Sequence, residues 1–385
     1  MGRVYAASVG YTPVGDHWNK SINDLAVEAG LKAIGDSTGV RPEQVVVGNM
    51  FSGASSRQEH LGALVVNGLG LTGIAGLKVE AACASGGMAV NVGYAMVRSG
   101  IAGAVLVIGV EKMRDLEPGD VAQALCMAES AEYTQFFGAS FVALNGMLAR
   151  LYMYEYDVPR DDLSSFPVLA HRNAVNSPHA QFRKPISYED VARSMIVSDP
   201  LRLLDCAPIG DGAAAVLLVG EDHAGDVKGP LVEVIGSASA TSRFSFYERD
   251  DMLDFAATRI ATRRALEASG LGMSDVDYLE IHDAFSVVAA LSVEALGVSK
   301  RGFGAKEARD GKFDPDGELP TNCFGGLKGR GHPVGATGVY QVAEAYLQLA
   351  GKAGACQVKS PSVAVTHNVG GVDTTAVVNV LRRKE

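Results

Sequence analysis

Apolar residues recur at helical spacing from Ser21 to Asp36, a Gly39-Val40 break follows, and Val45-Val46-Val47 then reads as a buried strand. Near Leu253 the same order begins again. A helical stretch runs through Ala265-Leu266-Glu267-Ala268, then come a Gly270-Leu271 break, a polar turn and the strand-like Tyr278-Leu279-Glu280-Ile281. Each break puts glycine where a helix end needs a left-handed residue. The parallel continues through a glycine-rich elbow, a long apolar helix and a β-branched strand. Cys83-Ala-Ser-Gly86-Gly-Met leads to a helix ending near Gly100 and the strand Ala104 to Val110. His332-Pro-Val-Gly335-Ala-Thr-Gly leads to a helix ending near Gly351 and the strand Ser362 to His367. With Gly86 laid on Gly335, Cys83 falls on His332. The pattern predicts an α/β chain of two related halves.

From about residue 111 to 202 the texture changes to more charge, more aromatics and more loops. This stretch holds Phe136-Phe137, the helical Leu148-Ala-Arg-Leu-Tyr-Met-Tyr and the loop Ser177 to Lys184. The apolar Ala213 to Val219 then returns to the earlier style. The expected organisation is a first half at residues 1–110 and 203–230, an inserted loop domain at 111–202 that closes over the active face, and a second half at 231–385.

Composition narrows the class. The 385 residues include 45 glycines without a Gly-X-Y period, 47% are apolar and 20% charged, which excludes disorder and collagen. A formal charge of −10 argues against nucleic acid as main partner. Five cysteines are too few for a disulfide scaffold, so reduced thiols in a cytoplasmic protein are expected. The N-terminus lacks a signal pattern, the C-terminal Leu381-Arg-Arg-Lys-Glu385 is no peroxisomal address, and Leu61 to Leu77 is too short and glycine-broken to span a membrane.

Candidate chemistry gathers at the elbows. Cys83 follows an apolar strand and opens a helix, where unpaired N–H groups are expected to draw the thiol toward thiolate; its own N–H is an oxyanion donor. Cys126, Cys206, Cys323 and Cys356 read as inert core residues. Among the histidines, His17, His60, His171, His179 and His223 read as surface residues, whereas His332 sits among glycines and His282 and His367 end strands. The C-terminal ends of strands are where open α/β sheets place sites. Zinc is the rival for this set, but no Cys-x-x-Cys or His-Glu-x-x-His spacing occurs, so no metal site is expected. The glycine run around Lys328 fits neither a phosphate-binding loop nor a dinucleotide fingerprint.

Four blocks in order resemble the thiolase superfamily: Ala82-Cys-Ala-Ser-Gly-Gly, His282-Asp-Ala-Phe285, Gly331-His-Pro-Val-Gly-Ala-Thr-Gly338 and His367-Asn-Val-Gly-Gly371. The resemblance covers essentially the whole chain and is nearest the archaeal acetoacetyl-CoA thiolases and the sterol-carrier-protein-type thiolases. It implies a thiolase fold, a duplicated five-layer αβαβα core with an inserted loop domain. It also implies an acetyl-CoA C-acetyltransferase in which His332 takes the proton of Cys83 and an acyl-enzyme forms. The family's second catalytic cysteine is missing, since Ala284 and His367 stand at its two known places. The base for the second substrate is therefore His367, the direct replacement, or His282. Oxyanion donors implied by the family are His282 with His332, and the backbone N–H groups of Cys83 and Val369.

For CoA, Phe285 resembles the aromatic beside the pantetheine arm. Arg183 and Lys184 could meet phosphates or simply be solvated, and Ala207 or Pro208 replaces a CoA-contacting serine. Coenzyme A thioesters are the substrates, with no metal or redox cofactor. The expected assembly is a homodimer or tetramer. The resemblance further implies a complex with hydroxymethylglutaryl-CoA synthase and a zinc-ribbon/OB-fold bridging protein, feeding the mevalonate route of isoprenoid biosynthesis. Competing readings are thiolytic cleavage of a longer acyl-CoA, retro-aldol cleavage of the kind that relies on tyrosines, and a non-catalytic acyl-CoA-binding scaffold.

Overall fold

The computed structural model describes residues 2–35 and 39–384; Asp36, the expected end of the first helix, and the terminal Met1 and Glu385 lie outside them. The strands are β1 (Val4–Tyr11), β2 (Gln44–Gly48), β3 (Ala75–Val79), β4 (Ala104–Glu111), β5 (Ile196–Ser198), β6 (Leu201–Arg202), β7 (Gly212–Gly220), β8 (Val232–Thr241), β9 (Tyr278–Glu280), β10 (Val363–Gly370) and β11 (Thr375–Arg383). All but β5 and β6 form one sheet in the order β3-β2-β4-β7-β1-β8-β11-β10-β9.

That order is a palindrome of roles. In each half a parallel pair (β2 with β4, β9 with β10) meets two antiparallel neighbours, and the halves join where Tyr5 pairs Glu233 and Ala6 pairs Val232. Even β3, with no full counterpart, has a remnant: Thr321 forms a single parallel bridge to Leu279 of β9. β3 leads to Cys83, and Thr321 leads to His332.

The layers follow from strand alternation. Tyr5, Val45, Leu106 and Leu217 face the outer helices Ile22–Ile34 and Leu61–Gly68, while Ala6, Val46, Val107 and Val216 face the opposite way. There they meet the helices Ser85–Arg98 and Thr337–Leu349, whose other side packs on Val234, Ala364 and Leu381 of the second half. The second half's remaining face carries Val365, Val378 and Val380 against the helices Ala256–Ser269 and Ser286–Ala295. Helix, sheet, helix, sheet, helix is the expected five-layer core. The helix Phe141–Tyr156, in the stretch between β4 and β7, packs Leu144, Leu148 and Tyr152 into that last layer.

Local signals explain the boundaries. Ser21 caps the first helix in a reciprocal capping box with Asp24, and Gly270 ends the corresponding helix at φ 70°. Two histidines expected at the surface are core residues: His171 is 4% and His179 1% exposed. His179 donates or accepts at 2.7 Å from Glu344, whose other oxygen takes Arg330 Nη1 at 2.6 Å. This charge network lies under the His332 elbow, where polarity in the sequence suggested solvent.

Candidate active site

The nucleophile elbow turns at Ala82, which holds φ 51°, a left-handed conformation that costs a non-glycine residue about 1–3 kcal/mol. Ser85 closes the turn: its Oγ accepts from Ala81 N at 2.9 Å and donates to Ala82 O at 2.6 Å. The facing elbow ends at Gly331, φ 111°, and places His332 before the second central helix. The two helix starts touch through glycines. A Cβ on Gly86 would lie 2.8 Å from Gly335 O, and one on Gly338 would lie 2.1 Å from Gly87 N. The equivalence of Gly86 and Gly335 is thus a physical contact, and it brings Cys83 and His332 to one cavity.

That cavity, of about 200 Å³, is lined by Cys83, His282 and His332, by Ala284 and Phe285 and by Ala207 and Pro208, as the motif positions suggested. The stretch between β4 and β7 contributes an apolar wall that includes Leu125, Phe141 and Val142. Cys206, read as inert core, also lines it, because the short bridge from Cys206 to Phe285 draws that loop inward. Arg183 and Lys184 are exposed and do not line the cavity. The Lys184 backbone is instead engaged by His171 Nδ1 at 3.0 Å, which fixes the loop on the outer surface.

Hydrogen bonds assign the tautomers. Thr337 gives its hydroxyl proton to Pro333 O, so the 2.7 Å contact with His332 Nδ1 has the imidazole donating. His332 Nε2 is left with a lone pair. His282 is the reverse: its Nδ1 accepts from Val369 N–H at 3.3 Å and faces Asn368 Nδ2 at 3.2 Å, so Nε2 carries the proton. The rings stand edge to face with centroids 5.2 Å apart. One imidazole is a base and the other a donor.

Burial sets the charges. It pushes the Cys83 thiol up to about 12, with Glu111 and Glu80 adding repulsion and its own N–H pulling the other way. The same burial, assisted by Arg330, pushes His332 down to about 3. His282 is held well below the usual imidazole range by burial first, then by His332, His367 and Arg330. The helix start therefore does not make Cys83 a thiolate, since desolvation outweighs the N–H groups. The resting pair is neutral thiol and neutral imidazole.

Two expected site groups are turned to other work. His367 is fully buried on the face of β10 away from the cavity, where Thr258 gives its proton to Asp373 and accepts from His367 Nε2 at 2.8 Å. His367 Nδ1 accepts from the His282 backbone N–H at 3.5 Å, so it holds the residue that reaches the cavity. The Val369 N–H, expected to hold an oxyanion, is spent on His282 Nδ1.

Three residues were missed. Asn368, one step along from His367 and on the opposite face, donates to Cys83 O at 3.1 Å and accepts from Gly87 N at 3.0 Å. Its signal was the period of 2 in a strand. Thr337 and Glu111 had no comparable signal. Glu111, buried at the end of β4, accepts from Asn49 Nδ2 at 2.7 Å, Met50 N at 2.9 Å and Gly335 N at 3.0 Å, tying the His332 elbow to the first half.

Comparisons with known proteins agree with this arrangement. The family described as "Thiolase, N-terminal domain" matches residues 4–222, and "Thiolase C-terminal domain-like" matches residues 238–383. An acetyl-CoA acetyltransferase of Methanothermobacter thermautotrophicus is 42% identical, covering 100% of both chains. Sterol carrier protein 2 of Bos taurus is 32% identical over 96% of this chain and 70% of its own length. Among solved structures, the "Ltp2-ChsH2(DUF35) aldolase" superposes with a TM-score of 0.86 at 25% identity, covering 99% of this chain and 98% of that one. With the duplicated five-layer core, the paired elbows and these matches in hand, the chain belongs to the thiolase family.

Proposed function

We propose that this protein is an acetyl-CoA C-acetyltransferase that joins two molecules of acetyl-CoA into acetoacetyl-CoA and CoA through a thioester on Cys83. The observation that carries the reading is the convergence of the half-buried Cys83 thiol, a lone-pair imidazole and an N–H imidazole on one cavity. His332 Nε2 removes the Cys83 proton as sulfur attacks the first thioester, then returns it to the departing CoA sulfur. The developing oxyanion is met by the Cys83 N–H, and the thioester oxygen of the second acetyl-CoA by His282 Nε2–H. The acetyl-CoA acetyltransferase relatives at 42% and 36% identity support the same activity.

The chemistry uses thiol, imidazole and peptide N–H groups, so the proposal includes no metal or redox cofactor. Residues 111–202 are proposed as the insertion that roofs the cavity. Among the described residues no helix is long and apolar enough to cross a membrane, and a cytoplasmic location is part of the proposal. So are a homodimer or tetramer, supply of acetoacetyl-CoA to hydroxymethylglutaryl-CoA synthesis and isoprenoids, and a zinc-ribbon/OB-fold partner. The structural relative named with a DUF35 component supports the presence of a partner protein. That relative is an aldolase, but among the described residues no tyrosine lines the cavity while Cys83 and His332 do, which favours acyl transfer.

The test is to incubate the protein with acetyl-CoA, or with acetoacetyl-CoA plus CoA, and to read protein mass and products. An acetyl group on Cys83 and interconversion of the two thioesters are expected. Binding without any adduct sinks the reading in favour of a scaffold.

A further inference from the structure

Of the two histidines expected to take the α-proton of the second acetyl-CoA, His367 faces away and His282 Nε2 already carries a proton. The strongest group outside the described set lies behind the turn at Gly371. Gly371 lines the Cys83 cavity, and a Cβ placed on it would lie 3.7 Å from Glu129 Oε1. Its neighbour Gly370 packs on the nucleophile elbow so closely that a Cβ there would meet Ala81 O at 2.3 Å. A Cβ on Gly371 would also meet Thr374 Oγ1 at 2.9 Å, so the Thr374 side chain and the Glu129 carboxyl both lie against the turn that lines the Cys83 cavity.

Glu129 is 4% exposed, and its Oε2 has no hydrogen-bond partner among the described residues. The half-buried Arg249 donates through Nη2 to Val372 O in the same turn and to Arg243 O at 3.4 Å, while its buried Nε and Nη1 have no partner among the described residues. Buried polar atoms are nearly always satisfied by protein or ordered water. A carboxylate oxygen and two N–H groups are the acceptor and donor set that orders water in a buried site.

We propose that Glu129 is the acid/base of carbon–carbon bond formation, exchanging the α-proton of the second acetyl-CoA through one ordered water beside Gly371. The methyl C–H bond breaks, its proton passes to the water and a water proton passes to Glu129 Oε2, while the electron pair moves to the enolate oxygen facing His282 Nε2–H. The enolate carbon attacks the acetyl carbonyl on Cys83, the C–S bond breaks, and the proton returns from Glu129 to the Cys83 sulfur. Protons and electrons balance without another reactant.

The charge environment fits the role. Burial pushes the Glu129 carboxyl up to about 7, with Arg249 and then Thr134 pulling it back, which is near the optimum for proton exchange at neutral pH. Arg249 is the cation facing it, and Arg249 in turn faces Asp373 and Asp254.

The inference rests on the acetyltransferase reading, and the experiment separates the two. Acetylation of Cys83 is followed by mass, and exchange of the acetyl-CoA methyl protons is followed in D₂O, for the whole protein and its variants. Glu129→Gln is expected to acetylate at the wild-type rate and to lose about 10²–10⁴-fold in exchange and condensation, with Glu129→Asp recovering part of the loss. Arg249→Gln removes the neighbouring cation, so the acid limb of the condensation rate moves to higher pH. Exchange by Glu129→Gln within threefold of wild type overturns the proposal, as does equal loss of acetylation and exchange. If Glu129→Gln does not fold, the pH profile of Arg249→Gln decides, and an unmoved acid limb is a refutation. Failure of the wild type to acetylate Cys83 is a different result and removes the acetyltransferase reading itself.

Discussion

The elbow at Cys83 follows β3 and opens the helix Ser85–Arg98; the elbow at His332 follows the bridge at Thr321 and opens the helix Thr337–Leu349. Their places in the fold correspond, and what they carry differs in the charge that burial opposes. Desolvation disfavours the thiolate of Cys83 and the imidazolium of His332, raising one proton affinity and lowering the other. A duplicated fold has thus set an acid that keeps its proton beside a base that stays unprotonated. Attack on a substrate is the event that makes transfer between them favourable, so the nucleophile is not standing ready as an anion.

The comparison breaks most severely at the thiol. Cys83→Ala is expected to remove the covalent acetyl adduct and bring condensation to the assay floor; an adduct that persists would move the nucleophile elsewhere. On the opposite elbow, His332→Asn should lower the rate of Cys83 acetylation by about 10²–10⁴-fold, the usual range for a general base. Rapid quench followed by mass analysis reads this directly.

The contact between the elbows comes next. Gly338→Ala, with its Cβ 2.1 Å from Gly87 N, is expected to destabilise the protein by about 1–3 kcal/mol in urea unfolding, as overpacking of a core does. An unchanged midpoint would mean that the helix starts are not locked together. Thr337→Val removes the acceptor that holds the His332 tautomer, a neutral hydrogen bond worth about 1 kcal/mol, so a loss of roughly fivefold is expected in the acetylation rate. The least severe test alters nothing in the chain. Because the Cys83 thiol is pushed up to about 12, its alkylation by iodoacetamide should rise about tenfold per pH unit between pH 7 and 9. A plateau in that range would show a resting thiolate.

The elbows were legible because glycine is used where backbones meet, and Gly86, Gly335 and Gly338 all do so. The strands β2, β4, β7, β9 and β10 were legible from their apolar runs, and the end of the helix before β9 from the break at Gly270, whereas β1, β8 and β11 were not read. What failed has a common cause. β10 is buried on both faces, so its composition did not reveal that His367 and Asn368 point to opposite layers. Counting alternate positions from Val363 and Val365 does so. The state of the Cys83 thiol depends on desolvation by residues distant in sequence, and local helix grammar contains no term for it. His179 looked solvated because its partners Glu344 and Arg330 lie far along the chain. For the same reason Glu129, within a polar stretch, gave no sign of sitting behind Gly371.

The central layer has a consequence for how such a chain could arise. It is made of one helix from each half, Ser85–Arg98 and Thr337–Leu349, and each covers apolar strands of both. A polypeptide holding a single half would leave its inner sheet face and its helix bare. Two such polypeptides, related by a twofold axis, would cover one another. The interior of this protein is therefore built as a subunit boundary is, with the nucleophile on one side of it and its base at the matching position on the other.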